Sequence, residues 1–197
     1  MKKISRLDRD MMVEAEARKV AWLFLDHSLR AEDWQRGVDA LDAHRREIRH
    51  SPISKWVRFY VVTWKEDLLI RMGRLEEALL ESNRSLRLPA SSYARINEAR
   101  RRTTILRGLG RPTEAFQAAM TGLRRCARTE DVDSSQGLIL EIVRLGSVAY
   151  LDELAAKYGK LVAAAVRLPN QVQLIGPEPA ETPIQALKAL REAMTTK

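Results

Sequence analysis

The sequence is poor in cysteine and lacks long apolar runs. Its single cysteine, Cys126, excludes an internal disulfide framework and a cysteine-based zinc site. The longest apolar run near the start, Val20 to Leu25, is far shorter than the roughly 20 residues needed to cross a bilayer. Charged residues recur where a signal peptide would carry its apolar stretch. We therefore expect no membrane partner and a location in the reducing cytoplasm.

Proline is scarce through most of the chain. The first 168 residues contain only Pro52, Pro89 and Pro112, and the other four of the seven prolines fall between residues 169 and 183. Because proline breaks a helix interior, this distribution permits long helices before residue 169. We expect a helical domain over residues 1–168, followed by a proline-rich loop and a C-terminal amphipathic helix over 169–197.

Apolar residues recur at intervals of three and four, as in Leu75, Ala78, Leu79 and Leu86. This period is that of an amphipathic helix and not of a strand. The pattern predicts an all-α fold of antiparallel hairpins joined by short connections. The predicted helices cover residues 7–29, 33–49, 54–72, 75–87, 92–108, 112–128, 134–145 and 147–167, with a further one over 184–194.

One stretch of the sequence occurs twice. Residues 71–79 (RMGRLEEAL) and 108–116 (GLGRPTEAF) share a glycine, an arginine, a glutamate and an alanine at an offset of 37 residues. The glycine suits a left-handed turn between two helices, and the following alanine suits close helix packing. Weaker copies begin near residues 32 and 144. We predict repeated helix-turn-helix hairpins, with Gly73 and Gly110 in the turns.

These residues resemble the tetratricopeptide repeat family, whose period is about 34 residues and whose signature includes this glycine and this small residue. The resemblance extends over residues 18–165. It implies a short right-handed solenoid of stacked hairpins, closed by a C-terminal capping helix pair, whose first helices line a concave surface that binds peptides. The alternative is an unrelated helical bundle whose hairpins are alike by chance.

Positive charge is concentrated in one block of the chain. Between Arg84 and Arg128 lie eleven arginines, no lysine and only two acids, Glu98 and Glu114, whereas the whole chain has a net charge of +8. Such a block is typical of a surface that binds an acidic peptide, an acidic protein face or nucleic acid. The alternative is a solvated face in an arginine-rich protein, since arginine outnumbers lysine 25 to 9.

The spacing of polar residues indicates where a partner would bind. Asn97, Arg100, Thr104 and Arg107 are three or four residues apart and share one face of a predicted helix. The resemblance implies that such faces line the concave groove, with the preceding first helix contributing as well. The predicted partner-binding residues are Tyr60, Arg71, Asn97, Arg100, Arg101, Thr104 and Arg107.

Two groups of residues could carry chemistry, and neither forms a convincing site. His44, Glu47 and His50 are three residues apart, but the neighbouring Arg45 and Arg46 oppose a divalent cation and favour a solvated helix face.

Cys126 has basic neighbours that would lower its pKa, yet no histidine base is near it in the sequence. We predict no catalytic residue, no metal, no cofactor and no enzymatic activity.

The leading hypothesis is a protein-interaction module, an adaptor or chaperone-like scaffold, that binds an acidic segment of another protein through a basic concave surface. A second hypothesis is a nucleic-acid-associated protein that uses the arginine block. No aromatic stacking platform interleaves with those arginines to help bind single strands, which disfavours it. A third is a self-assembling subunit, because the exposed end of a hairpin stack can be covered by a second copy.

Overall fold

The computed structural model describes residues 31–48, 55–165 and 182–195, together with Ser5, Asp8, Met11–Val13, Ala15 and Lys19. Every regular element in the three long ranges is an α-helix, which confirms the all-α prediction. The helices are α1 (Ala31–Ile48), α2 (Lys55–Arg71), α3 (Leu75–Ser85), α4 (Ser92–Gly108), α5 (Pro112–Thr129), α6 (Val132–Arg144), α7 (Val148–Ala165) and α8 (Pro183–Thr195). Each predicted bound of these helices agrees to within two residues. Most of the predicted helix over 7–29 lies outside the described residues.

The chain is divided into two compact units, Met1–Ser91 and Ser92–Lys197. In the first unit, α2 packs against both α1 and α3. In the second unit, α4, α5 and α6 each pack against the helix that follows and against the next but one, and α7 packs against α8. The boundary between the units falls inside the range 1–168 that we expected to form one domain.

The predicted turn glycines both lie between paired helices. Gly73 joins α2 to α3 with φ +72°, and Gly110 joins α4 to α5 with φ +70°. A left-handed backbone of this kind is strained for residues with a Cβ, which explains the glycine at both positions. After each glycine, the next N–H donates back into the preceding helix, from Arg74 N to Leu69 O and from Arg111 N to Leu106 O, both at 2.9 Å. The two turns therefore have the same hydrogen-bonding geometry.

The two hairpins also begin their second helices alike. Arg74 and Arg111 are the N-cap residues, and each guanidinium holds the glutamate three positions later, Glu77 or Glu114, at 2.6 Å. These hydrogen bonds keep the pKa of both glutamates below the ordinary range.

The small residues that follow the caps, Ala78 and Ala115, are fully buried. Their predicted burial is therefore confirmed.

The C-terminal helix α8 packs against α6 and α7. It begins at a capping box in which Thr182 and Gln185 exchange hydrogen bonds, from Thr182 N to Gln185 Oε1 at 2.9 Å and from Gln185 N to Thr182 Oγ1 at 3.3 Å. Ala186, Leu187 and Leu190 are buried on its inner face, and both leucines belong to the core of the second unit. Helix α8 thus docks on the helices of the second unit.

Within the described part of the chain, no helix combines the length and the apolar composition that crossing a bilayer requires.

Candidate functional site: the basic surface of α4 and α6

Helix α4 has a buried face and a polar face, as its sequence predicts. Ile96, Ala99, Thr103 and Leu106 are at most 8% exposed and form the packing stripe. Thr103 is satisfied within the helix, because its hydroxyl donates to Ala99 O at 2.8 Å. The polar face carries Asn97, Arg100, Thr104 and Arg107, of which Arg100 is exposed and the others are half-buried.

Helices α4 and α6 are joined by an ion-pair cluster. Arg107 Nε lies 3.0 Å from Glu141 Oε2, and Arg144 binds the other carboxylate oxygen of Glu141. Glu141 is only 5% exposed. A buried carboxylate requires compensating charge. Arg144 supplies it from within α6, and the Arg107–Glu141 pair joins α4 to α6.

A second contact between these helices involves Gly137 of α6. A Cβ at this position would lie 2.8 Å from Arg100 Cδ, so the Arg100 side chain crosses α6 where the glycine leaves room. Because Arg100 meets residue 137 and Arg107 meets residue 141, the two helices run parallel. Among the described residues, no carboxylate lies within ion-pair distance of Arg100.

We call this region the α4/α6 surface. It brings three guanidinium groups together with one carboxylate, and it is therefore basic. Its residues are Asn97, Arg100, Thr104 and Arg107 of α4, and Gly137, Glu141 and Arg144 of α6. The α6 residues were not among those predicted from the sequence, because the contact between Gly137 and Arg100 depends on how the two helices pack.

Three of the predicted partner-binding residues lie elsewhere. Arg101 points away from the α4/α6 surface, since it is paired with the buried Glu98 at 3.3 Å and its side chain is 16% exposed. Tyr60 and Arg71 lie on α2 in the first unit. The Tyr60 ring packs near Phe59 and Trp64, with centroids 5.7 and 5.8 Å away.

The arginine block is partly neutralised by acids from outside it. Arg84 pairs with Glu81, and Arg107 pairs with Glu141. The count of charges between Arg84 and Arg128 included only the acids Glu98 and Glu114, so it overstated the positive charge that is left uncompensated. A count along the chain misses such partners because distant helices bring them into contact.

A second basic feature lies wholly within the first unit, and the sequence did not predict it. It is a pocket of about 490 Å³ whose wall includes arginines from α1, α2, α3 and the turn after α3. We call it the arginine pocket. Its lining residues are Arg45, Arg46, Ile48, Arg58, Val61, Val62, Arg84, Arg87 and Leu88.

The buried carboxylate of Glu81 organises one side of this pocket. Glu81 is 2% exposed and binds Arg45 at 3.3 Å, Lys65 at 3.2 Å and Arg84. Lys65 also contacts Asp42 at 2.7 Å. On another wall, an Arg58 guanidinium nitrogen donates to Ile48 O at 3.3 Å. The guanidinium groups of Arg45, Arg58 and Arg84 are thus held in place by the fold.

Two expectations about single residues are wrong. Burial, together with the nearby Asp131 carboxylate, raises the pKa of the Cys126 thiol to about 11, so its basic neighbours in the sequence do not activate it. His44 is 7% exposed and not part of a solvated face. The side chains of Glu47 and His50 lie outside the described residues. In the described part of the chain, no three metal-ligating side chains come together.

No protein-family model, curated protein or solved structure matches this chain. Function is therefore inferred from the geometry of the two basic features.

Proposed function

We propose that the protein is a tetratricopeptide-like interaction module and not an enzyme. Its second unit would bind an acidic segment of another protein on the α4/α6 surface. In the second unit, the contacts of α4, α5 and α6 with the next helix and the next but one support the stacked-hairpin arrangement. The single cysteine, buried and protonated at neutral pH, needs no oxidising compartment, so we place the module in the cytoplasm.

The position of Arg100 is the observation on which the binding proposal rests. Its exposed side chain crosses the backbone of α6 at Gly137, in the junction between two parallel helices. Arg107 and Arg144 lie further along the same junction, and their shared partner Glu141 offsets only one of the three positive charges. An extended acidic segment placed along this junction would contact successive guanidinium groups, and a guanidinium group can bind a carboxylate in bidentate geometry.

The test uses a fluorescently labelled glutamate-rich peptide and fluorescence anisotropy. Arg100→Glu should weaken peptide binding several-fold at low salt, and added salt should reduce the difference, because screening weakens charge attraction at an exposed site. Arg107 is less suitable for reversal, since a glutamate there would face Glu141.

The matched control is Arg124→Glu, which makes the same change in net charge at an exposed position on α5. Equal weakening by both variants would mean that only overall charge matters, and would contradict the proposal.

A second variant changes geometry without changing charge. Gly137→Ala places a methyl group where the Arg100 side chain now lies, so Arg100 must move. We expect helicity by circular dichroism to be unchanged and peptide affinity to fall.

Single-stranded DNA of matched length is the comparison ligand. Tighter binding of the DNA with a steep salt dependence would favour the nucleic-acid hypothesis instead.

A further inference from the structure

The arginine pocket brings five cationic groups around one concave space. Arg45 and Arg46 come from the end of α1, Arg58 from α2, and Arg84 and Arg87 from the end of α3 and the turn after it. Like charges gathered in this way repel one another unless anions lie between them. Among the described residues that line the pocket, none is acidic.

The Glu81 carboxylate compensates part of this charge. Glu81 binds Arg45 and Arg84 from the side of the pocket, and it also binds Lys65. In the described part of the chain, Arg46 and Arg87 have no carboxylate within ion-pair distance. Both are exposed and border the pocket, so their guanidinium groups can turn towards a bound anion.

The rest of the lining is apolar. Ile48, Val61 and Val62 are at most 6% exposed, and the half-buried Leu88 adds a further aliphatic side chain. The apolar edges that these side chains present to the pocket, of which Leu88 is the most exposed, favour a hydrocarbon or ring over a hydrated inorganic ion. The volume of about 490 Å³ is in the usual range for sites that bind small organic molecules.

We propose that the arginine pocket binds a small organic anion, whose phosphate or carboxylate head contacts the arginines and whose apolar body lies on Ile48, Val61, Val62 and Leu88. The guanidinium groups held by Glu81 and by Ile48 O are already in place, which lowers the entropic cost of binding. This proposal does not depend on the function proposed for the α4/α6 surface, because the pocket lies within the other unit.

Isothermal titration calorimetry with four probes tests this proposal. Octyl phosphate and octanoate, below their micelle concentrations, carry both an oxyanion head and an apolar body. Octanol lacks the charge, and inorganic phosphate lacks the body. We expect saturable binding of at least one amphiphilic anion and much weaker binding of octanol and inorganic phosphate. The head group that binds more tightly identifies the class of the natural ligand.

Two pairs of substitutions locate the binding site. Arg46→Gln with Arg87→Gln removes two exposed charges from the pocket and should weaken binding by roughly tenfold or more, as loss of charge-assisted hydrogen bonds does. Arg124→Gln with Arg128→Gln removes two exposed charges from α5 and should leave the affinity unchanged. Amide shifts in nuclear magnetic resonance spectra should change at Val61, Val62 and Leu88 when the probe is added.

Three results would overturn the proposal. Equal loss of affinity in both double variants would show binding to net charge alone. Octanol binding as tightly as the anions would show that the arginines contribute nothing. Inorganic phosphate binding as tightly as octyl phosphate would show that the apolar wall contributes nothing to the affinity.

Discussion

The α2–α3 and α4–α5 hairpins share a turn, yet their second helices differ in length. Helix α3 has 11 residues, whereas α5 has 18. Sixteen residues after the turn glycine, the first hairpin has Pro89 and the second has Cys126. Proline cannot continue a helix, so α3 ends before it and α5 continues for almost two further turns. A shared motif thus determined how each second helix begins, and later residues determined where it ends.

The two hairpins also differ in what their second helices bury. Glu81 of α3 is replaced by Ala118 at the equivalent position of α5, and Ser85 is replaced by Gly122. A Cβ on Gly122 would lie 2.7 Å from Leu138 Cδ1 and 2.9 Å from Ala99 Cβ, so α5 approaches both of its neighbours closely. The first hairpin holds an ion-pair network where the second has close apolar packing.

The largest expected effect tests whether the two hairpins are packed equally tightly after the turn. Ala78→Leu and Ala115→Leu should each lower the free energy of unfolding by roughly 1–3 kcal/mol, because fully buried positions of this kind cannot accept a larger side chain without strain. Urea denaturation measures the loss. Ala127→Leu, at an exposed position of α5, is the control and should change stability little. If either variant unfolded at the same urea concentration as the parent, the two alanine positions would not be equally tightly packed.

A smaller effect is expected at the turns themselves. Gly73→Ala and Gly110→Ala should each cost about 1–2 kcal/mol, since the penalty for a left-handed residue with a Cβ is of that size. An added Cβ meets nothing within 4 Å at either glycine, so the cost is conformational and should be equal in the two hairpins. Gly73→Asn and Gly110→Asn should cost less, because asparagine tolerates this conformation better. Thermal melting of all four variants would show whether the turns are interchangeable.

The smallest effect concerns the part of α5 that has no counterpart in α3. The raised pKa of Cys126, about 11, keeps its thiol protonated in the folded protein at pH 8. An aromatic disulfide reagent should therefore react slowly with the native protein and quickly in urea. The unfolded chain ionises its thiol at the lower, ordinary pKa. Thiol ionisation therefore leaves the free energy of unfolding unchanged below that pKa and lowers it as the pH rises from there towards 11.

The matched variant for this last measurement is Cys126→Ala. Its stability should fall less steeply above pH 9 than that of the parent, whatever its absolute stability. Fast labelling of the native protein at pH 8 would contradict the burial of this residue.

The local sequence predicted most of the fold, because short-range physics determines it. Periodic apolar residues indicated the helices, and the repeated glycine, arginine, glutamate and alanine indicated the hairpin turns and their tight packing. Four of the seven predicted binding residues, Asn97, Arg100, Thr104 and Arg107, share the α4 face as their spacing requires. The tetratricopeptide resemblance and the binding of an acidic partner stay predictions.

The charge environment was harder to predict than the helices. The sequence showed that Arg45 and Arg46 oppose a cation at His44, but it did not show that Arg58, Arg84 and Arg87 join them around one pocket.

By itself, the sequence determined where helices form and where the chain turns, since both depend on residues within a few positions of one another. Only the tertiary structure decided which charges are compensated. Glu81 and Glu141 are buried against cations from other helices, and Cys126 is buried although its neighbours in the sequence are basic. Electrostatic energies depend on distance in space and on burial, and neither quantity is a function of separation along the chain.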